Sequence, residues 1–205
     1  VTEFRKVFER YFRFNGERDV LPFLVKGRRK RQDGRDLLAA VMRDLDFRIG
    51  AEIGTRHGES AKLWCEALPG LKLTCIDPYT VYHTRRSQEK QDAVYEVAKQ
   101  TLAPFDVTIL RKSSRDTVDD FGDGSLDFIH IDGDHTFDAI AMDLIQYVPK
   151  VRKGGLILVH DYFSFYLGGV VAAVDGYTSC HLIRPWFVTH DREPTAFWER
   201  GTEQI

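Results

Sequence analysis

The chain has 205 residues, 43% hydrophobic and 29% charged, which is enough apolar material for one sizeable core in a single globular domain. A formal net charge of -2 excludes a general attraction to nucleic acid or to an anionic membrane, and no uncharged apolar run approaches the roughly 20 residues that span a bilayer. The three cysteines, Cys65, Cys75 and Cys180, form no CxxC pair, so neither a disulfide framework nor a zinc ribbon is indicated. The charged amino end, VTEFRKVFERYFRF, does not read as a signal peptide, and a cytoplasmic protein is expected.

Residues 2–14 place Phe4, Val7, Phe8, Tyr11 and Phe12 at spacings of three and four, which predicts an amphipathic helix with an aromatic face. That face is expected to close over the substrate side of the domain or to pack on a second copy of the chain. LPFLV at 21–25 leads into KGRRKR at 26–31, a basic loop that reads either as a solvated surface or as a grip for phosphates. Residues 36–45 form a second amphipathic helix through Leu37, Leu38, Val41, Met42 and Leu45.

From Phe47 the pattern alternates. Strands are predicted over 47–53, 71–76, 107–110, 126–131 and 156–159, with helices over 58–68, 88–102 and 135–148 and a short helical turn over 114–121. The helix over 135–148 places Phe137, Ile140, Ala141, Leu144, Ile145 and Val148 on its apolar side, and a Lys-Gly-Gly turn precedes the next strand. Residues 168–177 are weakly helical, and strands over 181–188 and 195–199, joined by HDREP, make a hairpin. The expected fold class is α/β: a doubly wound, mainly parallel, seven-stranded sheet with a C-terminal antiparallel hairpin, preceded by an N-terminal helical extension over 1–46. Cys65 and Cys75 lie in apolar settings and read as buried thiols.

In open sheets of this kind ligands bind beyond the carboxyl ends of the strands. There the stretch DFIHIDGDHTFDAIAMDLIQYVPKVRKGGLILVHDY, residues 127–162, places Asp132, Asp134, His135, His160 and Asp161. Asp134 reads as a helix cap. Asp132 and Asp161 close neighbouring strands, so their carboxylates can converge on a divalent cation that acidifies and positions a hydroxyl. His135 can then accept the hydroxyl proton near physiological pH. AEIGTRHG, residues 51–58, lies between the first strand of the alternating part and its helix, where glycine admits close approach of a ligand. It is not GxGxxG, so the tight pyrophosphate turn of a nicotinamide site is missing. Glu52 can meet an ammonium group and Asp77, ending the next strand, a ribose hydroxyl. Together they suit a ligand with a ribose and an amino-acid-like tail.

AEIGTRHG, CIDPY, SLDFIHIDGDHTFDAIAMDL and GGLILVHDY, in this order over roughly residues 47–162, make the chain similar to the class I S-adenosylmethionine (SAM)-dependent methyltransferases. It most resembles the small metal-dependent O-methyltransferases of catechol and macrolide-sugar type. The resemblance implies a SAM-dependent methyltransferase domain over 47–205. It places Glu52, Gly54, Thr55 and Gly58 at the methionine end of the cofactor, Asp77 at the ribose and Ser114 near the adenine, and counts Asp132 among the cofactor-binding residues. From the residues alone Ser114 reads equally as a helix cap. Metal-binding carboxylates are implied at Asp132 and Asp161, and a histidine base at His135. The chain departs from these relatives at His160, where they carry a carboxylate. An imidazole there points away from magnesium towards manganese, iron or zinc, or to no metal, and His160 serves equally as a second base.

The expected function is O-methylation of a small-molecule hydroxyl, with a sugar or glycosylated metabolite favoured and a divalent metal such as Mg or Mn as the assisting ion. The alternatives are a nicotinamide-dependent oxidoreductase, or a catalytically silent SAM-fold module that holds an anionic partner through residues 26–31. A nucleic-acid partner is not expected. Pairing of two copies through the N-terminal helix stays open, and Tyr162 and Tyr166 read either as substrate-side aromatics or as packing.

Overall fold

In the computed structural model, the residues described are 2–13, 21–28, 34–81, 87–163 and 168–201. Helix α1 (Glu3–Tyr11) starts at Thr2, whose side chain accepts from the Arg5 amide. It runs into strand β1 (Phe12–Arg13), which pairs antiparallel with β2 (Phe23–Gly27). Helix α2 (Gly34–Asp44) then leads to the alternating part of the chain. This comprises β3 (Ile49–Ile53), α3 (Glu59–Ala67), β4 (Lys72–Ile76), α4 (Gln88–Leu102), β5 (Val107–Leu110), β6 (Leu126–Ile131), α5 (Phe137–Tyr147), β7 (Val151–Val159) and α6 (Gly169–Cys180). The hairpin β8 (Phe187–Thr189) and β9 (Ala196–Glu199) completes it.

The strands form one sheet in the order β1-β2-β8-β9-β7-β6-β3-β4-β5. From β7 to β5 the pairing is parallel, β9 is antiparallel to both β7 and β8, and β2 runs parallel to β8. The seven expected strands are present, and β1 and β2 add two more from the N-terminal segment. That pair lies in the part read from sequence as a helical extension, because short strands at a sheet edge carry little periodicity of their own. Strand β7 begins at Val151, upstream of the expected start. Gly154, at φ +80°, and a register irregularity opposite Leu126 and Phe128 make Gly154-Gly155 part of a bulged strand rather than a turn. Of the expected strand over 181–188 only Phe187 and Val188 are strand, since Leu182 takes φ +51° and Pro185 has no amide for a ladder.

Side chains of β-strands alternate between faces, and the two faces of this sheet carry two cores. On one lie α1, α2 and α3, with Leu38, Met42 and Trp64 packed over Leu73, Phe128, Leu156 and Leu158. On the other lie α5 and α6, with Ile140, Leu144, Val170 and Val174 over Ala51, Ile129, Ile157 and Val159. The aromatic face of α1 is used inside the chain: the Phe8 ring centroid lies 4.6 Å from Phe187 and 6.1 Å from Phe197 of the hairpin. Cys65 and Cys75 are buried and Cys180 is exposed.

Among the described residues, no helix is long and apolar enough to cross a membrane. Of the basic stretch 26–31, Lys26 and Gly27 belong to β2 and Arg28 donates through Nε to the Glu9 carbonyl at 2.8 Å. Arg29, Lys30 and Arg31 lie outside the described residues, as does Tyr166.

Candidate active site

The chain fills the sheet from β3 towards β5 and then returns to the other side of β3 with β6, so the strand order switches between β3 and β6. Ligand sites of open α/β sheets form at such a point. Here Asp132 donates its amide to the Ile53 carbonyl at 2.8 Å. Gly54, at φ +88°, passes so close that a β-carbon on it would lie 2.0 Å from the Asp132 carbonyl oxygen. Only glycine fits both the backbone angle and the approach.

Register explains why the ionisable side chains share one face. Glu52 pairs with His130, and His130 with Leu158. Two residues further on, the same row reaches Gly54, Asp132 and His160. His160 Nδ1 lies 3.4 Å from Asp132 Oδ1 and 3.4 Å from Asp161 Oδ1. From the loop before α5, His135 Nε2 lies 3.5 Å from Asp132 Oδ1 and 3.5 Å from Asp161 Oδ2. Two carboxylates are thus flanked by two imidazoles. Asp161 takes φ +57°, in the left-handed region that aspartate adopts more readily than most non-glycine residues. His135 is positioned by close packing of α6, since a β-carbon on Gly169 would lie 2.4 Å from the His135 carbonyl oxygen.

Burial penalises the charge on Asp132, but the ring nitrogens of His135 and His160 beside it, with the nearby imidazole of His130, outweigh it and hold its carboxyl well below the usual range. The bond to Asp132 raises the pKa of His135. Burial works against protonation of His160, yet Asp132 and Asp161 raise its pKa too. Desolvation lifts that of Asp161. Ligand atoms of Asp132, His135 and Asp161 all lie within 4.8 Å of one another, a separation suited to one cation. His160, 5% exposed, lies beneath them on the strand side.

Deeper in the same row is a buried pair that the sequence reading missed. Glu52 Oε2 accepts from Trp64 Nε1 at 3.2 Å and lies 3.0 Å from His130 Nδ1. Glu52 and His130 are 1% and 0% exposed, and desolvation raises the pKa of Glu52. The signal for His130 was its place on the same alternating face as Glu52. Among the described residues, Glu52 Oε1 and Thr55 Oγ1 are buried with no hydrogen-bond partner. Buried polar atoms are nearly always satisfied, so these two are open to a further partner, as are others away from this edge such as Gln146 Oε1 and Trp198 Nε1.

The other expected site residues are held as follows. Asp77 accepts the amides of Arg56 at 2.9 Å and Tyr79 at 2.8 Å. It thereby ties the loop after β3 to the loop after β4. Gly58 begins α3 in the left-handed region. Ser114 does not cap its turn: Ser113 accepts the Asp116 amide, and Ser114 Oγ donates to Asp143 Oδ1 at 2.6 Å. Asp134 accepts the Thr136 amide at 3.0 Å, and Thr136 is the cap of α5. The helix therefore starts two residues later than expected. The Tyr162 hydroxyl donates to Asp175 at 2.7 Å, which binds it to α6.

Residues 51–162, more than half of the chain, match the model of a family described as the methyltransferase domain. The chain belongs to this methyltransferase domain family. A curated relative, the uncharacterized protein y4gI of Sinorhizobium fredii, is 27% identical over 115 residues, covering 54% of this chain and 12% of its own length. The chain thus spans about an eighth of that relative. Among solved structures, the O-methyltransferase TomG of Streptomyces achromogenes, in complex with SAM, has a TM-score of 0.60 at 18% identity, over 82% of this chain and 79% of TomG. An O-methyltransferase of Bacillus cereus, in complex with S-adenosylhomocysteine (SAH), has a TM-score of 0.60 at 15% identity, covering 81% and 80% of the two chains. The fold is the Rossmann-like fold of the SAM-dependent methyltransferases.

Proposed function

We propose that residues 47–205 transfer the methyl group of SAM to a hydroxyl of a small molecule, a sugar or glycosylated metabolite first among them. Residues 1–46 complete the sheet edge and its core. One observation carries the reading: Asp132, His135, His160 and Asp161 converge at two neighbouring strand ends, directly beside the Gly54 loop. Cofactor cradle and proton-handling groups therefore share one edge. SAM, when bound, supplies an electrophilic methyl group.

Glu52 and Thr55 offer unsatisfied oxygens to the amino-acid end of the cofactor, and Gly54 and Gly58, both at positive φ, shape the loop beside them. Asp77 shapes the ribose side by holding two loops together, and Ser114 meets the adenine. On the acceptor side, His135 takes the hydroxyl proton at Nε2, and the adjacent carboxylates stabilise the imidazolium that results. Asp132 and Asp161 fit a divalent cation; its third ligand is His135 or, where His135 Nε2 is kept for the proton, His160 on the strand side, since one ring nitrogen cannot do both. Such an ion would lower the pKa of the acceptor hydroxyl and fix its position.

The test is incubation of the purified chain with SAM and a panel of sugars, glycosides and phenols, read by mass spectrometry, alongside thermal shifts with SAH and with NAD. Stabilisation by SAH together with a one-methyl mass gain on a hydroxyl substrate is the expected result. Stabilisation by NAD and not by SAH overturns the proposal in favour of an oxidoreductase.

A further inference from the structure

A buried carboxylate lies behind the segment that follows β5. Asp143, on α5, is 4% exposed and accepts the Ser114 hydroxyl proton at 2.6 Å. One turn along the same helix, the Tyr147 hydroxyl donates to the Ser114 carbonyl at 2.7 Å and itself accepts the Thr117 hydroxyl proton at 2.7 Å. Side chain and backbone of Ser114 are thus both held from α5, while Ser114 itself remains half-buried and within reach of a ligand. Arg115 and Asp134 are the charged groups that act on Asp143.

We infer that Asp143 is a positioning residue that fixes Ser114 as a hydrogen-bond acceptor towards the ligand, so that the site selects a purine presenting a donor over one presenting a carbonyl. The inference rests on the reading that SAM binds here with its adenine at Ser114. A serine hydroxyl has one proton, and an ionised carboxylate can only accept. With that proton committed to Asp143 Oδ1, the free side of Ser114 Oγ offers lone pairs alone. The base edges of adenine carry ring-nitrogen acceptors and one donor, the exocyclic amine. Hypoxanthine has a carbonyl oxygen in its place, so oxygen would face oxygen.

The experiment is calorimetric titration of the whole chain with SAH and with its deaminated analogue S-inosylhomocysteine, in mildly alkaline buffer. Wild type, Asp143→Ala, Asp143→Asn and Ser114→Ala are compared. Wild type should prefer SAH by on the order of tenfold or more, as sites built around a specific hydrogen bond do. Asp143→Ala frees the hydroxyl to rotate and should bring the ratio to within about threefold, the residue of one lost neutral hydrogen bond. Asp143→Asn retains an acceptor oxygen and should keep most of the preference. Ser114→Ala should narrow the ratio as Asp143→Ala does, which supplies the same readout should Asp143→Ala not fold. An unchanged ratio in Asp143→Ala or in Ser114→Ala, or equal weakening of both ligands, overturns the inference. Wild type that binds neither ligand removes the SAM reading itself, a result distinct from SAH binding without discrimination.

Discussion

Gly54 and Asp132 meet through their backbones: the space a β-carbon would take on Gly54 is filled by the Asp132 carbonyl. The loop after β3 and the carboxylate-bearing end of β6 are therefore set by a single contact. Gly54→Ala introduces that clash and a strained φ at once, and neither the end of β3 nor that of β6 has room to yield. Thermal unfolding and SAH titration should show a loss of stability of at least about 2 kcal/mol and weakened SAH binding. Unaltered stability and affinity would mean that the two loops are not rigidly coupled.

Asp132→Ala and Asp161→Ala each leave the imidazoles without half of their carboxylate partners. Turnover is expected to fall by roughly a hundredfold or more in each case, the range for loss of a directly acting polar group. Chelation should have a comparable effect, with activity restored by added manganese. Persistence of turnover after chelation would show that the carboxylates act on the histidines alone.

The pH profile should report His135. Its hydrogen bond to Asp132, with the charges of Asp132 and Asp161, favours the protonated ring. A base works only when deprotonated, so with no cation on the carboxylates the acidic limb of the rate profile should lie above the ordinary histidine value of about 6.5, and an added cation should lower it. His135→Ala should remove that limb and lower the rate by about 10²–10⁴. A full-rate mutant with the same limb would transfer the role to His160.

Burial lifts the Asp143 carboxyl to about 6. In the unfolded chain it titrates near 4, so between these values the folded state holds more protons. Stability from this group is full below pH ~4 and is lost as pH rises through about 6. Asp143→Asn, still able to accept the Ser114 proton, should flatten this part of the denaturation-against-pH curve. It should also raise stability at neutral pH by up to roughly 3 kcal/mol, the linkage value of a two-unit shift. A curve of unchanged shape would show that Asp143 titrates normally.

Much of the ionisable cluster at the sheet edge was legible because strand ends write such residues into short motifs. AEIGTRHG and IDGDH both sit where an alternating apolar run stops, and the structure places Gly54, Asp132, His135, His160 and Asp161 together. The supporting layer was harder to read. The apolar stripe of α5 was drawn through Phe137 and Ile145, yet these are 50% and 59% exposed, and Asp143 and Tyr147 share the buried side with Ile140 and Leu144. A carboxylate on a core-facing helix position counts as polar in any hydrophobic pattern, so its pairing with Ser114 could not be foreseen. The buried partners of Glu52 escape a sequence reading for a simpler reason. Its link to Trp64 and His130 crosses a helix and a neighbouring strand, and no local spacing encodes that. The face of α1 was read correctly as apolar, but what it covers depends on a hairpin from the far end of the chain.

That last contact bears on the order in which the sheet is completed. Thr2 Oγ1 donates to Glu199 at 2.9 Å across 197 positions of sequence, and β2, beyond its local pairing with β1, joins the sheet through β8. Pairings so distant in sequence form slowly, because a large loop must close before any contact stabilises it. The parallel strands β3, β4 and β5 need far shorter excursions. Hydrogen exchange should accordingly find the amides of β2 and β8 opening before those of β3 and β6. The half of the sheet that gathers Asp132 and His160 would then persist through openings that detach the half carrying the first helix.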